Sequence, residues 1–425
     1  MNININAKRI EMITATAITA MLCIHYSKAY FSHALILLAL FFIYILIKKG
    51  RHSLSETLFE KNPPAAFFSA SLAIFYGALS LSTAVNQDIP GLHKALSYAA
   101  LAIPFFMTYT LGRLTKSEMA MRCGFLLAAF IIGSYAPFAD PEFYHERLYS
   151  FFAHPNHLGT YTALFLPFVF LYLYRTNTFW KKIILTFLAL LLLYCLWKSG
   201  SRGAIAAFAG GIFLSLLTLL FAKRKSLSAK KSFTAILIAL LLLTSGGALV
   251  HHITTERTKN PWSTVTEQIS PIKFGGGERL LMWKTSIKMW GDHKLSGVGL
   301  SDWETAYYSD TYHPKEGIEK ELDMPHNMPL YFLSTAGLIG AAGYAAFLLL
   351  SFAALYKSMK QAADPLFSAA ALSASFAFAI QGLVDTTIIN TIPTRIYFAL
   401  MGYYFSCYNG LIFKNAINTL FFKTF

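Results

Sequence analysis

The segment ELDMPHNMPLYFLSTAGLIG, from Glu321 to Gly340, joins a charged loop directly to an apolar run. The run continues to about residue 352, which is long enough for one helical crossing of a bilayer. His326 and Asn327 lie at the junction. Asn327 is a good helix N-cap, so His326 is either a solvated residue before a helix or an imidazole held at a membrane surface for a chemical task.

The composition extends this pattern to the whole chain. Of its 425 residues, 55% are hydrophobic, 16% are aromatic and only 13% are charged, and the mean hydropathy is +0.48. These values exclude a set of ordinary soluble domains and favour an all-α polytopic membrane protein. The apolar runs predict twelve transmembrane helices, near residues 10–26, 29–47, 65–85, 92–112, 119–136, 158–174, 180–197, 203–222, 232–250, 327–352, 364–384 and 395–412.

The predicted spans divide the chain into three parts. Residues 1–250 hold the first nine helices, residues 251–325 form the one long polar loop, and residues 326–425 hold the last three helices. No signal-peptide pattern precedes the first span, so we expect the N-terminus to stay as a cytoplasmic tail. The four cysteines fall in four different apolar runs, and we expect them to be buried apolar residues without disulfides or metal.

The distribution of charge predicts the orientation. Twelve spans put both termini on one side, and that side carries 21 of the 36 lysines and arginines. The positive-inside rule therefore makes this side cytoplasmic and the long loop periplasmic. Because topology accounts for the net charge of +15, the basic composition does not call for a nucleic-acid partner.

The long loop contains a predicted helix. In GERLLMWKTSIKMWGDH, residues Leu280, Trp283, Ile287 and Trp290 recur at helical spacing and predict one apolar face, with Gly291 as a stop. We expect this helix to lie on the membrane surface or to roof the bundle. Packing alone is an equally good explanation for most of its residues.

Six ionisable residues at or near the starts and ends of predicted helices fall on the side of the long loop. A single arginine at a helix end is commonly an interface anchor, but several arginines beside histidines and an aspartate indicate a shared site. The candidates are Arg147, His154, Arg202, Arg279, His326 and Asp385.

Arginines near helix N-termini suit phosphate, because the guanidinium donates two hydrogen bonds and the helix end adds its dipole. A diphosphate at a membrane surface is the head group of a lipid-linked sugar, and a nearby histidine can act as base toward a sugar hydroxyl. A metal-bound diphosphate would need a carboxylate cluster such as Asp-x-Asp, which this side lacks, and the histidines lack zinc spacing.

Several of these segments together resemble the bacterial O-antigen ligases, within the superfamily that also holds O-antigen polymerases and protein O-oligosaccharyltransferases. The most specific stretch runs from Arg279 to Gly299 and is followed by the His-Asn pair and Gly-Leu-Ile-Gly. One departure is DHKLSG, where relatives often have a proline after the histidine position. The matching segments are FFAHPNHLGTY, SGSRGAIAAF, GERLLMWKTSIKMWGDHKLSGVGLSDWETAY, PHNMPLYFLSTAGLIG and GLVDTTI.

The resemblance implies a GT-C-like glycosyltransferase that needs no metal or other cofactor. Its donor would be a glycan on undecaprenyl diphosphate, and its acceptor a sugar of the lipid A-core at the periplasmic face of the inner membrane. Arg202 and Arg279 match the family arginines expected to hold the diphosphate, and His326 matches the histidine expected to activate the acceptor hydroxyl. Asp385, Arg147 and His154 match family positions of less certain, supporting role.

Three alternatives stay open on the sequence alone. A polymerase would extend another lipid-linked glycan, and a protein O-oligosaccharyltransferase would modify serine or threonine. A transporter of lipid-linked glycan would be expected to show internal repeats and polar groups at the midplane, whereas the charges here lie near the ends of the predicted spans.

We predict that reporter fusions near Ser309 will report a periplasmic location and that fusions at the C-terminus will report a cytoplasmic one. The physical reason is the concentration of lysine and arginine on the side of the termini. A cytoplasmic signal at Ser309 would reverse the orientation and with it the predicted access to the donor.

Overall fold

The computed structural model describes residues 2–24, 28–49, 62–115, 117–139, 147–223, 244–248, 250, 252, 277–314, 322–362 and 364–408. Within these ranges every regular element is a helix, and no strand occurs. The α-helices used below are α1 (Asn2–Cys23), α2 (Lys28–Lys49), α3 (Pro63–Val85), α4 (Ile89–Ala100), α5 (Ile103–Thr115), α6 (Glu118–Tyr135), α7 (Pro155–Arg175), α8 (Phe179–Lys198), α9 (Arg202–Lys223), α10 (Gly277–Asp292), α11 (Trp303–Tyr307), α12 (Met328–Gln361), α13 (Pro365–Gln381) and α14 (Thr391–Cys407).

The all-helical membrane fold predicted from the sequence agrees with these elements. Among the described residues, seven segments are long and apolar enough to cross a bilayer, judged by length and composition. The predicted ninth span, 232–250, lies largely outside the described residues, so the total of twelve stays a prediction. The seven segments are Pro63–Val85, Ile89–Thr115, Glu118–Phe138, Pro155–Arg175, Phe179–Lys198, Arg202–Lys223 and Met328–Gln361.

The predicted fourth span, 92–112, is two helices in the structure. A turn at Leu101 and Ala102 separates α4 from α5, and Pro104 lies in the first turn of α5. Proline has no backbone N–H and its ring clashes with the carbonyl one turn earlier, so it is tolerated at a helix start and breaks a continuous helix.

The helices form one bundle in which the two ends of the chain pack together. The most extensive pairings are α9 with α13, α3 with α12 and α5 with α14. Small residues allow these close approaches: a Cβ atom on Gly211 of α9 would lie 2.6 Å from the carbonyl oxygen of Ser373 in α13. In an apolar solvent such contacts between backbones are a main source of helix association.

Helix α10 forms where the sequence predicts it, but the face that packs against the rest of the protein is not the predicted apolar face. Leu280 and Ile287 are each about half exposed, at 51% and 50%, whereas Met289 is fully buried. The buried face includes Ser286, whose hydroxyl accepts a 3.0 Å hydrogen bond from the indole N–H of Trp303. Because a distant tryptophan satisfies this serine, the buried face contains a polar residue, and the spacing of hydrophobic residues does not predict it.

The expectation of four buried cysteines is also wrong in one case. Cys23 and Cys195 are buried and Cys407 is partly buried, but Cys123 is exposed on the outer face of α6.

Helix α12 is interrupted at Gly337, and residues 294–299 of the long polar loop, called the polar segment below, pair with the backbone at the interruption. Gly337 has φ 61° and ψ −157°, a conformation essentially restricted to glycine. In a continuous helix the N–H groups of Leu338 and Ile339 would donate to the carbonyls four residues earlier. Here they donate to Lys294 O and Leu295 O at 2.9 and 3.2 Å.

The carbonyl groups that this break frees are paired by the same segment. Val298 N–H donates to Ser334 O at 2.9 Å, and Gly299 N–H donates to Thr335 O at 3.1 Å. Ser82 of α3 adds hydrogen bonds of 3.0 Å to the carbonyls on both sides of the junction. The break leaves these buried peptide groups satisfied, and it fixes the segment that follows α10 onto the bundle.

We predict that Gly337→Ala will destabilise the protein severely. The left-handed conformation alone costs an alanine of order 1–3 kcal/mol, and the added Cβ would overlap the backbone of Leu295 and Ser296. Thermal unfolding of the detergent-solubilised variant measures the effect. Gly77→Ala in α3 is the matched control, because its Cβ meets no atom within 4 Å. Equal melting temperatures for the two variants would contradict the role of the break.

Candidate functional site

A cavity of about 500 Å³ lies where α7, α9, α10 and α12 begin. All six residues selected from the sequence line it, although they come from five separate segments of the chain. The structure therefore brings the predicted set together, while the roles of its members stay predictions. The six are Arg147, His154, Arg202, Arg279, His326 and Asp385.

The local sequence explains why helices start at this wall. Pro155 and Pro329 lie in the first turns of α7 and α12, where a proline is well tolerated. Asn327 caps α12 by accepting the N–H of Leu330 at 2.9 Å. Arg202 is itself the first residue of α9. Helix N-termini carry partial positive charge, so this geometry favours an anion in the cavity.

Arg279 reaches the same cavity from the long polar loop. It lies in the first turn of α10, which packs against α12. Among the described residues, no carboxylate lies within ion-pair distance of its guanidinium. Its charge nevertheless acts on Asp385, where it contributes to a lowered pKa. Arg202 and Arg279 therefore add positive charge to one cavity from two independent helices.

Asp385 lies in the connection between α13 and α14 and organises the polar groups around it. Its carboxylate accepts hydrogen bonds from the Nδ2 atom of Asn156 at 2.7 Å, from the backbone N–H of Thr386 at 2.8 Å and from the Nε2 atom of Gln381 at 3.4 Å. Burial raises the pKa of this carboxyl, but the hydrogen bond and charge of His326, with Thr386, lower it by more. Asp385 is therefore ionised at neutral pH.

His326 is held against that carboxylate. Its Nδ1 atom lies 3.3 Å from Oδ1 of Asp385, and its side chain is 33% exposed, so the ring is accessible from the cavity. An ionised carboxylate can only accept, so Nδ1 carries the proton and Nε2 is the basic atom of the neutral ring. The geometry assigns this tautomer.

The backbone around His326 is constrained on both sides. His326 has φ 48°, which is uncommon for a residue other than glycine. The indole N–H of Trp283 donates to Pro325 O at 2.8 Å, and Asn327 Nδ2 donates to Leu383 O at 2.9 Å. Asn327 is therefore the predicted helix cap, and the strained residue before it carries an imidazole that faces Asp385, while a chemical task for this ring stays a prediction.

His154 contributes a neutral ring. Its Nδ1 atom accepts the backbone N–H of Asn156 at 3.1 Å, which places the ring proton on Nε2. Burial lowers the pKa of His154, and the positive charge of Arg147 lowers it further. The ring is therefore uncharged at neutral pH and serves as the cap of α7.

Sequence reasoning missed several neutral polar residues of the cavity wall. Asn156, Gln381 and Asn390 all line it, and Asn390 donates from Nδ2 to Nε2 of His157 at 2.8 Å. The only available signal was position: Asn156 follows His154 and Pro155 at a predicted helix start, and Asn390 precedes the last span. Nothing in the sequence shows that these amides meet across the bundle.

The carboxylates of the cavity are few. Of the described lining residues, only Asp323 and Asp385 carry carboxylates, and no group of three or more His, Cys, Asp or Glu residues in the described part of the chain could hold a metal ion. Positive charge in the cavity comes from arginine.

Comparison with known proteins identifies the central segment. Residues 187–345 match a family model described as O-antigen ligase. The matched segment contains Arg202, Arg279 and His326, so the resemblance inferred from the motifs is confirmed there. Members of this family are glycan-transferring enzymes that use lipid-linked glycans. No curated protein matches the chain significantly.

We predict that Arg202→Ala and Arg279→Ala will each weaken binding of inorganic pyrophosphate to the purified protein. A lost charge-assisted hydrogen bond is worth about 1.5–3 kcal/mol, which corresponds to roughly 10- to 150-fold in affinity. Lysine at each position should restore only part of the affinity, because it lacks the planar fork of two donors.

Isothermal titration calorimetry measures these affinities. Arg122→Ala is the matched control, because Arg122 pairs with Glu118 at the start of α6 and does not line the cavity. Wild-type affinity in the Arg202 and Arg279 variants would show that these arginines only anchor the helix ends.

Proposed function

We propose that this chain, which carries an O-antigen ligase segment over residues 187–345, completes lipopolysaccharide. It transfers O-antigen glycan from undecaprenyl diphosphate to a sugar hydroxyl of the lipid A-core. The reaction takes place at the periplasmic face of the bacterial inner membrane, with both termini in the cytoplasm.

One observation carries the proposal. Two arginines from different helices line the same cavity as a histidine whose ring faces an ionised aspartate. The arginines suit the diphosphate of the donor, and the histidine suits a hydroxyl that must lose its proton. A membrane cavity with both features fits a glycosyl transfer from a lipid-linked diphosphate.

The proposed reaction uses these groups in one displacement. The Nε2 atom of His326 accepts the proton of the acceptor hydroxyl as its oxygen attacks the anomeric carbon of the glycan. The bond between that carbon and the diphosphate breaks, and undecaprenyl diphosphate leaves with the electron pair. Arg202 and Arg279 stabilise the charge that develops on the leaving group, and Asp385 stabilises the imidazolium.

The proposed reaction needs no metal ion. Guanidinium groups and helix N-termini supply the positive charge that a divalent ion supplies in other diphosphate sites. Of the two described carboxylates in the cavity wall, Asp385 is already engaged by four donors, namely His326, Asn156, Gln381 and Thr386. The remaining one, Asp323, is exposed.

Product analysis tests the function. Purified protein is incubated with glycan on undecaprenyl diphosphate and with lipid A-core, and the lipids are separated and identified by mass spectrometry. Lipid A-core bearing the glycan is the expected product. Longer lipid-linked chains would identify a polymerase, glycan on serine or threonine of an added protein would identify a protein O-oligosaccharyltransferase, and no product would overturn the enzymatic proposal.

We predict that His326→Ala will abolish turnover while the variant still binds the lipid-linked donor. The loss should be about 10²- to 10⁴-fold, the usual contribution of a general base. His326→Lys should also fail, because a lysine is protonated near pH 7. Steady-state transfer rates and donor binding on purified variants measure the two effects separately.

Asn327→Ala is the control for the helix start. It removes the cap at a cost of about 1 kcal/mol in stability and the hydrogen bond to Leu383 O beside His326, but it keeps the imidazole, so transfer should fall far less than in His326→Ala. The same assay with EDTA should run at the wild-type rate. If the His326→Ala variant transferred glycan at the normal rate, His326 would be only a residue at the start of a helix, without a role in the reaction.

A further inference from the structure

Asn156 connects Arg147 to Asp385 in the wall of the cavity. Its Oδ1 atom accepts a 2.8 Å hydrogen bond from Arg147, and its Nδ2 atom donates a 2.7 Å hydrogen bond to Oδ2 of Asp385. The other oxygen of Asp385 faces Nδ1 of His326 at 3.3 Å. The carboxamide therefore connects a guanidinium to the carboxylate that directs the histidine.

Only one orientation of this carboxamide fits its neighbours. Rotated by 180°, it would point its oxygen at the carboxylate of Asp385 and its NH₂ group at the guanidinium of Arg147. Both contacts would then be repulsive, because a carboxylate only accepts and a guanidinium only donates. The two charged groups thus fix the amide, and the amide in turn donates to one of the two carboxylate oxygens.

The backbone of Asn156 is equally constrained. Its N–H donates to Nδ1 of His154, and its carbonyl accepts the hydroxyl of Thr160 at 2.8 Å, so the residue is built into the first turn of α7. Arg147 is anchored too, since its Nε atom donates to Ser199 O at 2.8 Å beside the end of α8. Asn156 is therefore fixed to α7, and Arg147 is tied to the end of α8.

We propose that Asn156 is a positioning residue that sets the orientation of Asp385, and through it the reactive tautomer of His326. The inference deepens the proposed function and rests on it. Arg147 accordingly acts on the carboxamide of Asn156, and the diphosphate is left to Arg202 and Arg279. A hydrogen-bonded chain of this kind holds the imidazole ready for proton transfer without contacting substrate.

The decisive experiment compares Asn156→Ala with Asn156→Asp. The alanine variant removes both hydrogen bonds, and kcat should fall about 10- to 100-fold, the range typical of misplaced catalytic groups, with KM for the lipid-linked donor unchanged. In the aspartate variant the new carboxylate still accepts from Arg147 but cannot donate to Asp385. Two adjacent carboxylates disfavour double ionisation, so the acid limb of its kcat–pH profile should move to higher pH.

Asn62→Ala is the matched control. Asn62, the buried N-cap of α3, is likewise an asparagine that accepts with Oδ1 and donates from Nδ2, but its acceptor is Phe405 O, far from the cavity. This variant should lose stability and keep the wild-type kcat and pH profile. If Asn156→Ala and Asn62→Ala behave alike, Asn156 is structural only.

A structure of the Asn156→Ala variant tests the positioning role without an activity assay. The carboxylate of Asp385 should turn, and its distance to Nδ1 of His326 should exceed hydrogen-bonding range. An unchanged pair of side chains would overturn the inference. Failure of the proposed function would appear differently, as a wild-type protein that transfers no glycan.

Discussion

The pairing of backbone groups at the break in α12 determines where the polar segment can lie. Gly337 frees two N–H and two carbonyl groups inside the bundle, and residues 294–299 pair all four. A peptide group buried without a partner is too costly to persist at membrane depth, so helix and segment must stay together. Because α10 immediately precedes residues 294–299, this exchange also fixes the position of Arg279 relative to α12.

The alternation of helix directions supplies the second half of the arrangement. In a bundle whose consecutive helices run up and down, every second helix starts on the same side, and α7, α9 and α12 all start at the cavity. Three helix N-termini, each with the partial positive charge of its first turn, then face one space, and the arginine at the head of α9 adds a full charge. The side chains at these helix starts meet in the cavity because the backbone has already brought the helix ends together.

Burying an ionised carboxylate costs free energy unless the carboxylate is paired, and the carboxylate of Asp385 is paired by the groups around it. The donors come from α7, from the end of α13 and from its own connection, while His326 comes from the start of α12. The same contacts that offset burial also keep the carboxylate ionised and direct the imidazole. Stability and chemistry therefore rest on one set of hydrogen bonds, which is why removal of a residue such as Asn156 is expected to affect the reaction rather than only the fold.

The sequence by itself determined the helical membrane fold and six of the eight ionisable residues that line the cavity. Apolar runs and the charges at their ends are local properties of the sequence. In a bilayer each long apolar run forms a helix, so the ends of the helices and the side on which each end lies follow from the sequence. The buried face of α10, the break at Gly337 and the amides of Asn156, Gln381 and Asn390 were decided only by the tertiary structure. Each depends on a partner distant in the chain: Ser286 is buried because Trp303 satisfies it, and Asn156 matters because Asp385 lies opposite. Neutral polar residues leave no charge or periodicity to read, so their importance arises only when the bundle places their partners within hydrogen-bonding distance.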